Sequence, residues 1–414
     1  MQNQESNAII RNLSNASLAA QFSEQMAIAA VPIVAVVALG VSAQQSAILQ
    51  AINSLPFLLL SIPTGLLADR CRRKNLMSGT ELLRAAALCL LCALFYSGDL
   101  SPGWLAALGF AIAAGTVVYS VATPALVAAL VDKGDLLTTN RRLEIARSIA
   151  FTAGPAVGGI LTGWASGIFA FPAALLLSIT SVWYLAGLPD EPQRAPSARH
   201  VWRELSEGVN FIIRHRYLRP IVATAFVFNT SWYLLLAIFA YYAINQLRFS
   251  ASGVGAALAT YGFGMVVGAY LYNAIATHLR FGRQIILGPI CAALGALLMA
   301  TTLLIPLRVI VFAAFFLFGF GPVVWTIATT SLRQVVTPGG LIARVSSVIM
   351  TVTFGARPLG ALIGAWLSAT FGVTGCLLAA LIGFCIQLGI IVFSAPCRLR
   401  ALDAAGEEAA ATAI

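Results

Sequence analysis

Apolar residues run along this chain in twelve long stretches separated by polar breaks. The stretches fall at about 17–40, 45–68, 76–97, 103–131, 143–165, 168–188, 219–245, 251–276, 284–305, 308–332, 343–370 and 373–394. Each approaches or exceeds the ~20 residues that a helix needs to cross a bilayer, and the longer ones permit tilt. The pattern predicts an all-α polytopic membrane protein with twelve transmembrane helices. One interruption is long. Residues 189–218 open with Pro189-Asp190-Glu191-Pro192, which reads as a linker. Val201, Trp202, Leu205, Val209, Ile212 and Ile213 then recur at helical spacing among Arg and Glu, predicting an amphipathic helix on the membrane surface. This segment divides two six-helix halves, 17–188 and 219–396. Residues 1–16 form a polar N-terminal segment and 397–414 a tail, of which the Ala- and Glu-rich part, 401–414, is expected to be frayed.

Composition agrees with the pattern. The chain is 59% hydrophobic and only 10% charged, with mean hydropathy +0.89. Soluble domains carry roughly 25% charged residues, so a soluble fold is excluded. No short apolar stretch ends in a cleavage site near the N-terminus, so the first segment is expected to remain as a helix. A net charge of +10 raises the question of nucleic acid. The cations instead fall in alternate loops. Of the 25 Lys and Arg residues, 21 lie on the N-terminal side of the membrane. Only Arg248 and Arg308 lie opposite, while Arg84 and Arg357 fall inside apolar segments. This bias predicts that both termini are cytoplasmic and that the partner is a lipid bilayer, not nucleic acid.

The densest charge cluster is Asp69-Arg70-Cys71-Arg72-Arg73-Lys74, between the second and third stretches. Charges at this density are excluded from hydrocarbon and must form a tight loop at one membrane face. The full spacing includes Gly65 and Leu67: Gly65, Leu67, Asp69, Arg70, Arg73 and Lys74 resemble the loop 2–3 signature of the major facilitator superfamily. Arg72 stands where that family usually has glycine. The resemblance implies a fold of two pseudo-symmetric six-helix halves, and a gating role for the loop. A fainter echo follows the eighth stretch, where Arg280-Phe281-Gly282-Arg283 repeats the Arg-x-x-Arg spacing with Leu279 in the acidic place. Arg142 before Pro155 and Arg344 before Pro358 form a second internal correspondence.

The fifth stretch carries Gly154-Pro155-Ala156-Val157-Gly158-Gly159. Proline favours a kink, and the glycines offer a flat face for close helix packing. The run resembles the signature of superfamily exporters. With Arg357-Pro358-Leu359-Gly360-Ala361-Leu362-Ile363-Gly364 it points to the bacterial effector-secretion, siderophore- and drug-exporting branch.

Intramembrane polar residues are the candidates for chemistry. Glu24 lies in the first stretch, as the one acid read as clearly inside a helix. A lone carboxylate there favours its neutral form, the property a proton carrier needs, or it sits near the cytoplasmic mouth, solvated or paired with an Arg. Arg357 demands a partner or a wet cavity: an anionic cargo, Glu24, or a purely structural contact. Glu81 and Arg84 read as an intrahelical pair close to the interface. In the seventh stretch Asn229, Trp232 and Tyr233 share one side, and Gln21, Tyr119 and Trp325 join them as candidates for a cargo cavity, though an aromatic stripe is equally core packing. The family fold implies that helices 1, 4, 7 and 10 line the pathway. The fourth stretch lacks the buried Arg that many superfamily proton antiporters carry.

Other chemistry finds no support. Cys89 and Cys92 form a C-x-x-C without a partner pair, and the seven cysteines imply no disulfide framework. His200, His215 and His278 show no metal spacing, and no phosphate-cradling Gly-rich loop is present. The expectation is therefore a cofactor-free, metal-free, monomeric transporter of the bacterial inner membrane, not an enzyme. The resemblance implies export of a small organic molecule, a drug, siderophore or related metabolite, in exchange for protons. Uptake by the same fold and a non-transporting membrane sensor are the alternatives.

Overall fold

A computed structural model of the chain describes residues 2–60, 63–64, 71–131, 135–163, 169–191, 201–338 and 341–402. The described residues form helices and no strand. The first six helices are α1 (Gln2–Val37), α2 (Ala43–Leu59), α3 (Arg73–Ser97), α4 (Pro102–Leu130), α5 (Leu136–Gly163) and α6 (Ala170–Ala186). The amphipathic helix α7 (Val201–Arg214) comes next. Then come α8 (Leu218–Tyr241), α9 (Ala251–His278), α10 (Phe281–Thr301), α11 (Arg308–Val336) and α12 (Ile342–Val392). A π-helical turn, Tyr242–Gln246, extends α8, and a 3-10 turn, Ala395–Arg398, succeeds α12.

Among the described residues each of the twelve apolar stretches is helical, because α12 is two helices. Gly372 inside it has φ +66°, a left-handed conformation that breaks the helix between the eleventh and twelfth apolar stretches. Local chemistry sets other boundaries. Ser42 caps α2 in a reciprocal box with Gln45, and Ser101 precedes Pro102 at the start of α4. The helices also leave large apolar side chains uncovered, among them Leu176, Trp183, Tyr270 and Trp366. In water this would be a liability, but it is the ordinary outer surface of a helix bundle in lipid.

The chain divides into two compact units. Unit 1 holds Met1–Ser197 with Phe239–Ala259, and unit 2 holds Ala198–Ile238 with Thr260–Ile414. In unit 1, α1 packs on α5 and α6, α3 packs on α4 and α6, and α2 packs on α4. The polar opening, residues 1–16, is not a separate segment: α1 starts at Gln2, and Ile10, Leu13 and Ala16 are buried with Met77, Tyr119 and Leu126. Apolar residues at helical spacing among the polar ones are enough to continue the helix.

In unit 2, α10 packs on α11 and α12, and α7 lies on the start of α12. Ile212 of α7 joins Leu218, Val345 and Val348 in one core. Glu207 pairs with Arg344, and Gly208 lets the helix sit directly on the Arg344 backbone. The turn into α8 is closed by His215, whose Nδ1 accepts the backbone N–H groups of Tyr217 (3.2 Å) and Leu218 (3.4 Å). Burial, and secondly the adjacent Arg216 charge, holds this imidazole below the ordinary 6.5. The neutral ring therefore contributes stability that is present above that ordinary value and lost as pH falls through the lowered one. His215→Ala is expected to cost about 0.5–2 kcal/mol at pH 8, as for other helix caps, and to flatten the acid limb of the stability profile. Thermal unfolding of purified protein across pH checks both.

Candidate functional site

The loop 2–3 cluster is described only from Cys71 onward; Gly65, Asp69 and Arg70 lie outside the described residues. Arg72, Arg73 and Lys74 form one side of a clasp. The start of α3 is held by the chain leaving α6. Glu191 accepts the backbone N–H of Arg73, an orphan donor at the helix start, and its second oxygen takes the Arg73 guanidinium at 3.1 Å. Both residues are buried, Arg73 8% and Glu191 4% exposed. Lys74 Nζ donates to the Leu188 carbonyl (2.5 Å) and to Asp190 (3.1 Å), which Arg72 also approaches at 3.4 Å. Lys74, by hydrogen bond and charge, and then Arg72 hold the Asp190 carboxyl below the usual carboxylate range. The run Pro189 to Pro192 reads from sequence only as a linker; its two acids are the counter-charges of the loop.

The echo in unit 2 is clasped differently. There the chain leaving α12 folds over the start of α10, so that Phe281 and Gly282 donate their N–H groups to the carbonyls of Arg400 (3.3 Å) and Leu399 (2.9 Å). Backbone carbonyls do here what carboxylates do in unit 1.

The α5 motif presents its small face to two partners. Gly154 and Gly158 lie against Gln25 and Met26 of α1; a Cβ at Gly154 would stand 2.6 Å from the Gln25 Cβ. Gly159 lies against Gly255 of α9, where a Cβ would meet the Gly255 Cα at 2.6 Å and the Ala251 carbonyl at 3.0 Å. The Pro155 carbonyl faces Gly255 in return. Two backbones meet with no side chain between them.

One turn of α1 lies over this face and carries Glu24. Its carboxylate is 18% exposed and stands 4.0 Å from Arg84 of α3. Gln21, one turn earlier, donates to Ser17 at 2.8 Å. Glu81 and Arg84 form the intrahelical pair that their spacing suggests, but it is not solvated. Both are sealed inside unit 1, 0% and 1% exposed, and 2.5 Å apart. Four helices close this centre: Arg84 also donates to the Ala20 carbonyl (3.1 Å) and Thr116 (2.8 Å), and Ser178 donates to Glu81 (2.8 Å). Glu24 is therefore not the one acid inside the bundle. The missing signal is partnership, since an i,i+3 pair reads the same whether solvated or enclosed.

The aromatic candidates separate. Trp232 of α8 is only 7% exposed, stacked on Tyr261 at 5.0 Å and edge-on to Phe315 at 5.8 Å. Tyr119 is buried in the unit 1 core. Both are packing residues in their units. Asn229 donates to the Ala225 carbonyl within its own helix. Trp325 packs against Gly288 and leaves its buried indole N–H without a partner among the described residues. Arg357 of α12 lies between two rings, 4.5 Å from Phe354 and 5.3 Å from Tyr233, so α8 and α12 meet at a cation held by aromatic faces. Arg357 belongs to unit 2, and Glu24 to unit 1. Among the described residues no group of His, Cys, Asp and Glu has the arrangement of a metal site.

Known proteins share both this sequence pattern and this fold. The sequence profile of the Major Facilitator Superfamily matches residues 13–361. The chain belongs to this superfamily. Among its relatives is the multidrug efflux pump Tap of Mycobacterium tuberculosis and Mycobacterium bovis, 27% identical over 386 residues and covering 88% of each chain. The superfamily fold is equally clear in solved structures. The nucleoside transporter NupG aligns with a TM-score of 0.72 at 13% identity, over 93% of this chain and 97% of that one. A bacterial homologue of the iron transporter ferroportin aligns at 0.70 and 16% identity, over 93% and 98%. By family the chain is a transporter, and its long apolar helices make it a multi-pass membrane protein.

Proposed function

We propose that this chain exports small organic molecules by proton antiport, through alternating access. Export is supported chiefly by the likeness to a protein named a multidrug efflux pump, which extends over 88% of both chains. The close-packed Gly154-Pro155 to Gly159 face is in keeping with it. Proton coupling is assigned to Glu24, whose carboxylate keeps contact with solvent while Glu81 has none. A carboxylate in a largely apolar setting binds and releases a proton at modest cost, and a cation nearby sets the balance. The loop 2–3 residues Gly65, Asp69, Arg70, Arg73 and Lys74 act as the gate. Arg357, with Tyr233 and Asn229, is assigned to cargo with aromatic or anionic character.

The alternate-loop distribution of Lys and Arg supports a bacterial inner-membrane location with cytoplasmic termini. The test is ethidium movement in proteoliposomes of purified protein. An imposed pH gradient is expected to drive ethidium against its concentration, with counter-movement of protons. Absence of movement for ethidium and a panel of drugs under any gradient would favour a sensor. Accumulation only in the direction of uptake would reverse the polarity.

A further inference from the structure

Charge is divided unevenly between the two units. No aspartate or glutamate stands between Glu207 and Asp403, a stretch that carries twelve arginines. Glu207 itself pairs with Arg344. In unit 1 the cations at the start of α3 meet Asp190 and Glu191. At the corresponding start of α10 the acidic place is Leu279, and the chain that folds over it brings two more cations, Arg398 and Arg400.

Five arginines gather at this end of unit 2. Phe281, Leu332, Val336 and Leu399 share one core. Arg280, Arg283, Arg333, Arg398 and Arg400 flank those residues in sequence and so surround that core. Among the described residues none of these guanidinium groups pairs with an acid. Four are exposed, and Arg333, in the last turn of α11, is half-buried. Its Nε is enclosed with no acceptor among the described residues. One turn later Thr337 is 4% exposed, and its hydroxyl is likewise enclosed without a partner. Arginines free in water need no counter-ion, but enclosed polar groups one turn apart are costly unless a further polar group meets them. Apolar surface borders the same end. Val335, between Arg333 and Thr337 in sequence, is 42% exposed, and Phe393, just before the turn that carries Arg398, is 85% exposed. Cations beside an exposed apolar flank match a molecule with an anionic head and apolar tails.

We infer that this end of unit 2 binds an anionic phospholipid, whose phosphate takes the place that Asp190 and Glu191 fill in unit 1. Phosphate oxygens accept from Arg333 and Thr337, and the four exposed arginines draw the headgroup in and hold it. The acyl chains lie along Val335 and Phe393.

The test titrates purified protein in neutral detergent with phosphatidylglycerol and counts bound lipid by native mass spectrometry. Wild type is expected to bind phosphatidylglycerol about tenfold or more tighter than phosphatidylcholine. Arg280→Gln/Arg283→Gln, at exposed positions, is expected to weaken binding by about fivefold per charge removed. Arg333→Gln is expected to weaken it further; should that variant fail to fold, the exposed double variant carries the test. Arg72→Gln is the control. Its cation is already matched by Asp190, so binding should stay within about twofold of wild type. Equal weakening by Arg72→Gln would reduce the effect to general surface charge and overturn the inference. Equal affinity for phosphatidylcholine would do the same. Displacement by inorganic phosphate at matched concentration would mark a site for a soluble anion and overturn the lipid assignment. Binding that appears only after Asp403→Asn/Glu407→Gln/Glu408→Gln would show that the chain's own acids occupy the site, and would also overturn it.

Discussion

Replacing Glu191 with alanine is expected to cost about 3–5 kcal/mol of stability, the range for removing one member of a buried ion pair. The reason is specific to what the carboxylate holds. It satisfies the backbone N–H of Arg73 at the start of α3 and pairs with the guanidinium of the same residue. Its loss leaves a charge and a helix-start donor unmatched in a site that is 8% exposed. Asp190 is the internal control. It binds Lys74 and Arg72 from the solvent side, and exposed pairs contribute little. Asp190→Asn should therefore leave the melting temperature of purified protein close to wild type at neutral pH. Equal losses from the two substitutions would mean that the clasp acts through net charge and not through the buried contact.

Gly159→Leu is expected to destabilise unit 1 by about 1–3 kcal/mol or more and to abolish transport. At this point the backbones of α5 and α9 leave no room for a Cβ, because the nearest atoms belong to the main chain of Gly255 and Ala251. Main-chain atoms cannot rotate aside as a side chain does, so the two helices must separate. Gly163, one turn on, is the contrast: a Cβ there would meet Ser252 at 3.6 Å, an ordinary contact. Gly163→Ala should be tolerated. Yield of monodisperse protein, its melting temperature and ethidium transport together separate the two outcomes.

These contacts also show why the chain is legible in some respects and not in others. Twelve apolar stretches, and the break at Gly372, follow from composition along the sequence, because a bilayer demands about 20 apolar residues and a helix end demands a special backbone. The glycine face of α5 is visible for the same reason: small residues at helical spacing have few other uses in lipid. The partner of Arg73 is not visible. Glu191 lies 118 positions away, beside prolines that signal a turn equally well. Nor is the enclosure of Glu81 and Arg84, since it depends on Ala20, Thr116 and Ser178 arriving from three other helices. Trp232 illustrates the converse. Its polar and aromatic neighbours in sequence suggest an open cavity, but Tyr261, Phe315 and Phe318 bury it.

The polar opening, by contrast, misleads through composition alone. Residues such as Asn7, Asn12 and Asn15 make the opening polar, yet Ile10, Leu13 and Ala16 recur every three residues and are buried in unit 1. A short apolar stripe is enough to extend α1 when a neighbouring core receives it.

The most direct measurement is gradient-driven ethidium accumulation by wild type and Glu24→Gln, reconstituted side by side with matched protein content. The glutamine variant is expected still to exchange ethidium across the bilayer down its own gradient but no longer to accumulate it when a pH gradient is imposed. Undiminished proton-driven accumulation by Glu24→Gln would contradict the account.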